Sequence, residues 1–383
     1  MKENELNEYD QLLCKAFLLY AYNQPDSSND HIQKLLTIYP GKISDSLKSE
    51  LYKIRITNLV RLFQYRAALE NSNYLITNYA TIVDSTEFAN IKNSNLIWNA
   101  LSGVPRQTTS IQRGETIPVK KDKAGLWTVP VITSTNEDDF VFDTGANFSV
   151  VCESTAKKNK WRTILAGFEV GTATGKKVKA NLAIADSLVI GRSVFRNVVF
   201  LLIPDEDLII KPNPLFKYVI KGIIGLPVIN EFREIEIHND GFIRIPQVVS
   251  AKGYKNFSLR DFIPVLYASV KGEILSFQFD TGARTSELYK TYLDKYPLDF
   301  LGAKITTKTA GGAGGTKKFN VYQLESFDIA IINETITIKN IPVYKETKSR
   351  VEKSLVGNLG QDVFKQFSYI IINFQDMYIA FVK

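Results

Sequence analysis

Two aspartates with closely similar neighbours are the residues of this chain best suited to chemistry. Asp143 and Asp280 each begin the sequence Asp-Thr-Gly-Ala, and each follows the sequence Phe-x-Phe. Two carboxyls that lie side by side cannot both ionise at low cost, so they share one proton over a range of pH. The ionised member can take a proton from a water molecule while the protonated member polarises a carbonyl. Such a pair is suited to hydrolysing an amide without a metal ion or a covalent intermediate.

The residues after each aspartate fit a tight loop that presents its carboxyl. We expect the threonine hydroxyls to tie neighbouring chains together and the alanines to leave room around the carboxyls. The glycines let a backbone amide approach the carboxyl in front of them. These supporting residues are Thr144, Gly145 and Ala146 in the first loop, and Thr281, Gly282 and Ala283 in the second.

The remaining composition disfavours other kinds of catalytic site. The chain has two histidines and two cysteines, so a Ser-His or Cys-His nucleophile or a multi-histidine metal site has almost no residues to draw on. Cys14 and Cys152 are expected to be buried small apolar residues. The glycine-rich stretch at 311–317 does not match a phosphate-binding loop, because Thr316 precedes Lys317. We therefore predict no metal and no cofactor.

Charge and hydropathy set limits on partners and location. The 47 basic and 40 acidic residues are interspersed, which is typical of a solvated surface rather than of a nucleic-acid-binding face. No apolar run approaches the ~18 residues of a membrane-spanning helix. The first five residues are too polar for a signal peptide, which favours a cytoplasmic protein unless a leader has been removed. The compartment is otherwise left open.

The first part of the chain, residues 1–105, is predicted to be an all-α domain. Apolar residues such as Leu13 and Phe17 recur at helical spacing, and Asp84 begins a capping box before Phe88. The stretch 62–76 weakly resembles one tetratricopeptide repeat, and a generic helical hairpin domain explains it equally well. One hypothesis is that this region binds a protein partner or a substrate.

The remainder is predicted to be mainly β and internally duplicated, with a first lobe at 106–250 and a second at 251–383. An apolar residue followed by glycine comes late in each lobe, and the glycines, Gly225 and Gly360, lie 82 and 80 residues after their aspartates (225 − 143 and 360 − 280). Each is followed, seven residues on, by the sequence Phe-x-x-Ile-x-Ile. Matched landmarks in one order indicate two copies of one unit.

These motifs resemble the aspartic peptidases of the retropepsin and pepsin type, over about residues 115–383. The resemblance implies a bilobal acid-protease β-barrel fold with Asp143 and Asp280 as the catalytic dyad. It also implies that Gly225 and Gly360 cross behind the catalytic loops in psi-shaped motifs. Because Ala146 and Ala283 give the carboxyls no hydroxyl, we predict a less acidic working range than that of pepsin-like enzymes.

The two lobes depart from the family pattern in different ways. Asn358 stands where the second psi motif usually has an apolar residue, and Pro227 stands where the first usually has an aspartate. An asymmetric pocket is therefore expected. Segment 105–115 is either a strand that completes a sheet or a linker.

A glycine-containing hairpin between each aspartate and its psi glycine is predicted to fold over the substrate as a flap. The first flap is expected at 169–176, with Gly171 and Thr172. The second is expected at 309–316, with Gly311 and Gly312. A flexible connector without substrate contact is the alternative for the second segment.

The leading hypothesis is an aspartic endopeptidase that acts on extended polypeptides as a monomer, with both halves of its site in one chain. A non-catalytic peptide-binding or scaffold protein on the same fold is the alternative. Dimerisation of the chain to form the site is a third arrangement.

Overall fold

A computed structural model describes residues 6–172, 174–213, 216–332, 334–347 and 351–383. Residue 173, within the first predicted flap, therefore lies outside the described residues. The chain divides into two compact units. One comprises residues 1–108 with 164–168, and the other comprises 109–163 with 169–383.

The first unit is helical, as predicted. Its described helices are α1 Glu8–Ala21, α2 Pro25–Ile38, α3 Asp45–Arg61, α4 Tyr65–Asn78 and α5 Ser85–Leu101. Each helix packs against the next one along the chain. The side chain of Asp84 accepts hydrogen bonds from the backbone N–H groups of Thr86 and Glu87, so the predicted N-terminus of α5 is confirmed.

The helical unit has a 40-residue period. Helices α2 and α4 have 14 residues each and start 40 residues apart, and α3 and α5 have 17 residues each and start 40 residues apart (65 − 25 and 85 − 45). Asn23 and Phe63, also 40 apart, both adopt a positive φ of 57° and 58° before the second and fourth helices. The likeness to a tetratricopeptide repeat stays a prediction.

The second unit is mainly β. Its strands up to residue 245 are β1 Thr108–Ser110, β2 Glu115–Pro118, β3 Lys120–Lys121, β4 Trp127–Ile132, β5 Glu137–Phe142, β6 Ser149–Cys152, β7 Arg162–Gly171, β8 Lys177–Ile190, β9 Ser193–Ile203, β10 Ile209–Asn213, β11 Phe216–Val219, β12 Gly222–Ile224, β13 Glu234–His238 and β14 Phe242–Ile245. Short helices α6 Glu153–Lys158 and α7 Leu226–Ile229 lie between them.

The later strands follow the same succession. They are β15 Phe257–Arg260, β16 Ile263–Val270, β17 Glu273–Phe279, β18 Glu287–Leu288, β19 Ile305–Gly312, β20 Gly315–Ile331, β21 Glu334–Tyr344, β22 Gly357–Leu359, β23 Tyr369–Asn373 and β24 Tyr378–Val382. Short helices α8 Lys290–Lys295 and α9 Gln361–Phe364 lie between them.

Two of the sheets share part of their strand order. The order β9, β6, β12, β5, β4 of the first sheet corresponds to β21, β18, β22, β17, β16 of the second; β8 and β7 follow β4 in the first sheet, whereas β20 and β19 follow β21 in the second. The strand that ends at each Asp-Thr-Gly pairs in parallel with the strand before the late glycine, β5 with β12 and β17 with β22. Additional pairings of β8 with β9 and of β16 with β20 curl each sheet toward closure.

A third sheet joins the two halves of the β unit. Its order is β2, β14, β13, β23, β24, so three strands of the first half lie beside two of the second, and every neighbouring pair is antiparallel. At its centre Glu236 of β13 lies opposite Ile371 of β23. Buried isoleucines, Ile235, Ile237, Ile370 and Ile372, cover one face of this central pair.

The predicted fold class is confirmed: a helical region precedes a mainly β region with a β-barrel. Segment 105–115, left open above, contributes the short strand β1 and the start of β2. Of the two cysteines, Cys152 is buried, whereas Cys14 is exposed, so the expectation for Cys14 is wrong. In the part of the chain that the structure describes, none of the helices combines the length and apolar character needed to cross a membrane.

Candidate active site

The two Asp-Thr-Gly loops meet in the β unit. Asp143 follows β5 and Asp280 follows β17, and each carboxyl lies against the glycine of the opposite loop, so the two carboxyls are neighbours. Each carboxyl also accepts a hydrogen bond from the backbone N–H two residues on, at 2.8 Å from Gly145 to Asp143 Oδ1 and 2.8 Å from Gly282 to Asp280 Oδ1. The loops therefore hold two carboxyls face to face with matched backbone donors.

Glycine is required at both loops because the opposite carboxyl is so close. A Cβ at Gly145 would lie 2.6 Å from Cγ of Asp280, and a Cβ at Gly282 would lie 2.3 Å from Cγ of Asp143. Separations under 3 Å are not tolerated between such atoms without movement. Glycine at these positions lets a backbone amide approach the carboxyl before it, as expected from the sequence, and also makes room for the partner carboxyl.

Reciprocal threonine contacts lock the loops together. The Thr144 hydroxyl accepts from the N–H of Thr281 at 3.1 Å and donates to the carbonyl of Phe279 at 3.1 Å. The Thr281 hydroxyl accepts from the N–H of Thr144 at 3.0 Å and donates to the carbonyl of Phe142 at 2.8 Å. Both threonines are buried, so these four bonds are shielded from competing water.

The late glycines pass closely behind the loops. The N–H of Asp143 donates to the carbonyl of Ile224 at 3.0 Å, and that of Asp280 donates to the carbonyl of Leu359 at 3.0 Å. A Cβ at Gly225 would lie 2.6 Å from the backbone of Phe148, and one at Gly360 would lie 2.6 Å from the carbonyl oxygen of Ala283. Only glycine leaves the backbone room for this crossing.

Two serines that sequence reasoning did not single out support the crossings. The Ser149 hydroxyl accepts from the N–H of Gly225 at 3.1 Å, and the Ser286 hydroxyl accepts from that of Gly360 at 3.0 Å. Ser286 also donates to Asp362 at 2.6 Å. Each serine lies six residues after its aspartate, and this shared spacing is the signal that could have found them.

Burial dominates the electrostatics of the pair. It raises the pKa of Asp143 well above its ordinary value, and the neighbouring Asp280 carboxyl raises it further. Burial also raises the pKa of Asp280, but hydrogen bonds from Asn358 and Asp143 hold that pKa down. Two such carboxyls retain one shared proton at pH values where isolated ones would both be ionised.

The two predicted flaps are hairpins whose tips meet each other. Strands β7 and β8 form the first, and β19 and β20 form the second. A Cβ at Gly314 would lie 2.4 Å from the Thr172 hydroxyl oxygen, which shows how closely the tips approach. The N–H of Gly314 also donates to the carbonyl of Asp207 at 2.7 Å.

The second tip rests on a segment that the sequence did not reveal. Gly311 lies within contact distance of Ile210, and the N–H of Lys211 donates to the Thr316 hydroxyl at 3.3 Å. Lys176 beside the first tip pairs with Asp207 at 2.6 Å. Segment 205–211 therefore connects both tips, and Gly312 closes the second strand pair opposite Gly315.

Residues 132–228 match the aspartyl protease family model. The matched segment holds the first Asp-Thr-Gly loop, the first hairpin and the crossing at Gly225, which make up an aspartic protease-like domain of peptidase type. No curated protein matches the chain.

The structure thus brings together the residues from Asp143 to Ala146 with those from Asp280 to Ala283, and it puts Gly225 and Gly360 behind them. It brings Thr172 close to the second hairpin tip. Asn358, which the sequence marked as a departure from the family pattern, contacts Asp280 directly. The roles of these residues in catalysis and substrate binding stay predictions.

Proposed function

We propose that this protein is an aspartic endopeptidase that hydrolyses peptide bonds in extended polypeptides, with Asp143 and Asp280 as its catalytic dyad. One observation carries the proposal: two half-buried carboxyls, on loops with the same sequence and the same hydrogen bonds, lie side by side, each against the glycine of the opposite loop. The match of residues 132–228 to aspartyl proteases supports the peptidase class.

The reaction follows from one proton shared by two carboxyls. The ionised carboxylate takes a proton from a water molecule as the water oxygen attacks the scissile carbonyl carbon, while the protonated carboxyl donates to the carbonyl oxygen. A tetrahedral diol results. Proton transfer to the amide nitrogen then lets the C–N bond break, which gives a carboxylic acid and an amine and returns the single shared proton.

The fixed geometry of the pair serves this mechanism. The reciprocal threonine bonds and the crossings behind the loops keep the two carboxyls at a constant separation, so little reorganisation is needed in the transition state. An extended peptide can bond to the backbone of the hairpins as an added strand. We assign this role to Gly171, Thr172, Gly311 and Gly312.

Hydrolysis of an unfolded mixed-protein substrate over a range of pH tests the proposal. We expect Asp143→Asn and Asp280→Asn each to lower the rate by about 10²–10⁴-fold, and a statine-type inhibitor to block the wild type. Asp240→Asn, at an exposed turn of the same unit, is the matched control and should keep full activity.

The same assay distinguishes the alternatives. Because both carboxyls belong to one chain, the rate per molecule should not change on dilution, and a rate that falls with dilution would indicate assembly of the site between chains. If the folded wild type binds extended peptides and cleaves none of them, the protein is a non-catalytic peptide-binding protein and the proposed enzymatic function is wrong. Activity that survives in one Asp→Asn variant would overturn the dyad.

A further inference from the structure

The surroundings of the two carboxyls differ at one strand position. In the first half Ile223 of β12 lies opposite Val141, and in the second half Asn358 of β22 lies opposite Gln278. Both Ile223 and Asn358 immediately precede the residue whose carbonyl accepts the N–H of the catalytic-loop aspartate. An apolar side chain thus occupies this position behind Asp143, and an amide occupies it behind Asp280.

The amide is directed at a carboxyl. Asn358 Nδ2 donates to Asp280 Oδ2 at 3.0 Å, on the oxygen that the Gly282 N–H does not contact. The backbone donors on the two sides match, so Asn358 is an additional donor on the side of Asp280. An ionised carboxylate only accepts hydrogen bonds, and a donor to it favours the charged form.

The position carries a cost that an apolar side chain would avoid. Asn358 is buried, and its Oδ1 accepts no hydrogen bond from any residue that the structure describes. An unsatisfied buried polar atom is unfavourable, and Ile223 shows that the fold accepts an apolar residue at this point. The contact with Asp280 is the interaction that the amide gains in exchange.

The polar character extends behind Asn358. The Tyr289 hydroxyl donates to Gln278 at 3.2 Å, whereas the corresponding positions of the first half hold Cys152 and Val141. Asp143 faces Asp280; the titratable groups that act on Tyr289 are Asp280, Glu287, Tyr344 and Glu352, and Lys308 pairs with Glu287.

Acidic groups lie close to the tyrosine that contacts Gln278. Glu287 and Glu352 carry negative charge close to the buried Tyr289, and Asp280 lies close to the same tyrosine. Lys308 pairs with Glu287 at 3.3 Å and offsets a part of that charge. Of the interactions that lower the pKa of Asp280, the hydrogen bond from the Asn358 amide is the largest.

We propose that Asn358 is a positioning residue that holds the single negative charge of the pair on Asp280 and leaves the shared proton on Asp143. This proposal rests on the proposed function. Asp280 is then the base that takes a proton from the attacking water, and Asp143 is the acid that donates to the scissile carbonyl. The directions of the pKa shifts agree, since the Asn358 amide lowers the pKa of Asp280 while the Asp280 carboxyl raises that of Asp143.

The proposal assigns the two limbs of the pH profile to different residues. Asp280 ionises first and sets the acidic limb, while Asp143 ionises second and sets the alkaline limb. Asn358 favours every state in which Asp280 is charged. Its removal therefore moves the acidic limb to higher pH and leaves the alkaline limb at the same pH, so the pH range of activity becomes narrower.

A pair of matched variants tests this assignment through the pH profile of kcat/KM. Asn358→Leu removes the donor at nearly constant size, and we expect the acidic limb to move up by about 1–2 pH units. Ile223→Asn adds an amide beside Asp143 at the corresponding position. We expect this variant to move the alkaline limb down, because Asp143 is the group that ionises second.

Other shifts would overturn the proposal. If both limbs of the pH profile stay at the same pH in Asn358→Leu and only the rate falls, Asn358 acts through packing alone. A downward shift of a limb in that variant would mean that the amide oxygen faces a protonated Asp280. If Ile223→Asn moves the acidic limb instead, the charge resides on Asp143.

A second measurement does not depend on catalysis. Titration of the ¹³C-labelled aspartate carboxyl carbons by NMR, with the pair assigned from Asp143→Asn and Asp280→Asn, reports ionisation of the free protein. The lower pKa of the pair should rise in Asn358→Leu even if no substrate is cleaved. If the pKa shifts but the protein has no peptidase activity, the proposed function is wrong and the assignment of the charge to Asp280 stands. If the protein is active but the pKa does not shift, the proposed function stands and the assignment of the charge is wrong.

Discussion

The two halves of the β unit have the same backbone around their aspartates and different side chains behind them. Hydrogen bonds from the loop glycines are 2.8 Å long in both, and the threonine contacts are reciprocal. Behind the loops, Ile223 corresponds to Asn358. Backbone geometry brings the carboxyls together, and side-chain chemistry distinguishes them, so symmetry of position does not require symmetry of charge.

The largest effect is expected when a methyl group is added at the glycine of each Asp-Thr-Gly loop, which tests the geometry that the two loops share. In Gly145→Ala and Gly282→Ala the new Cβ would lie 2.6 Å and 2.3 Å from the Cγ of the opposite aspartate. Because that carboxyl must move, we expect the rate of hydrolysis to fall about 100-fold or more and the free energy of unfolding to fall by about 1–3 kcal/mol.

Gly253→Ala is the control, since no atom lies within 4 Å of its added Cβ. Rates and denaturant unfolding of the three variants can be measured together. Full activity in either loop variant would show that the carboxyls are farther apart than described here.

A second test compares the two threonines. Thr144→Val and Thr281→Val each leave one buried N–H of the opposite loop without its acceptor. We expect similar losses of about 1–3 kcal/mol in the free energy of unfolding, measured with denaturant. Thr306→Val, on an exposed strand position, should change it by less than about 0.5 kcal/mol. Clearly unequal losses of unfolding free energy in Thr144→Val and Thr281→Val would mean that the two threonine contacts are not equivalent.

The pH dependence of stability sharpens the difference between the aspartates. A carboxyl whose pKa is raised in the folded protein binds its proton more tightly there than in the unfolded chain, where the pKa is about 3.9. The contribution of this carboxyl to the free energy of unfolding is therefore most favourable below the unfolded pKa of about 3.9 and is lost as the pH rises through the pKa of the folded protein. Asparagine cannot ionise, so it removes this loss.

We therefore expect Asp143→Asn to unfold at a higher denaturant concentration than the wild type near pH 7, with a gain of about 1.4 kcal/mol for each unit of pKa difference. The gain should be smaller in Asp280→Asn, because Asn358 already stabilises the charged form of that residue. Equal gains would mean that the two carboxyls have equivalent surroundings.

The smallest expected effect concerns the serines behind the loops. Ser149→Ala removes the acceptor of the Gly225 N–H and should cost about 1 kcal/mol in the free energy of unfolding. Ser286→Ala also removes a donor to Asp362, so its cost should be about 1–3 kcal/mol. The order of the two values, read from denaturant midpoints, is the informative result, and the reverse order would show that the Asp362 contact contributes nothing.

The two Asp-Thr-Gly loops could be predicted from the sequence because they are short, local and repeated. Asp143 and Asp280 carry the same four-residue motif, and Gly225 and Gly360 lie at nearly the same distance from them. Asn358 was noticed as a departure from a family pattern. Its contact with Asp280 could not be foreseen, because it depends on which face of β22 turns toward the loop.

Other features depend on distant contacts that leave little trace in the sequence. Segment 205–211 contacts the second hairpin tip through backbone groups of Asp207 and Lys211, which do not constrain residue type, and the first tip through the surface ion pair of Asp207 with Lys176. The 40-residue helical period was missed because few side chains repeat, among them Leu35 with Leu75 and Tyr39 with Tyr79. The exposure of Cys14 on α1 shows that an apolar helical pattern does not identify every outward position.

The sheet that joins the two halves has a consequence for the order of events in folding. Strand β2 near residue 115 pairs with β14 near residue 245, and β13 pairs with β23 near residue 370. The threonine contacts likewise join residues 137 positions apart. Contacts of such sequence separation form slowly, because long loops must close first. During synthesis the first half can fold before the second has emerged, so the carboxyl pair, and any cleavage that depends on it, arises only after almost all of the β unit has been made.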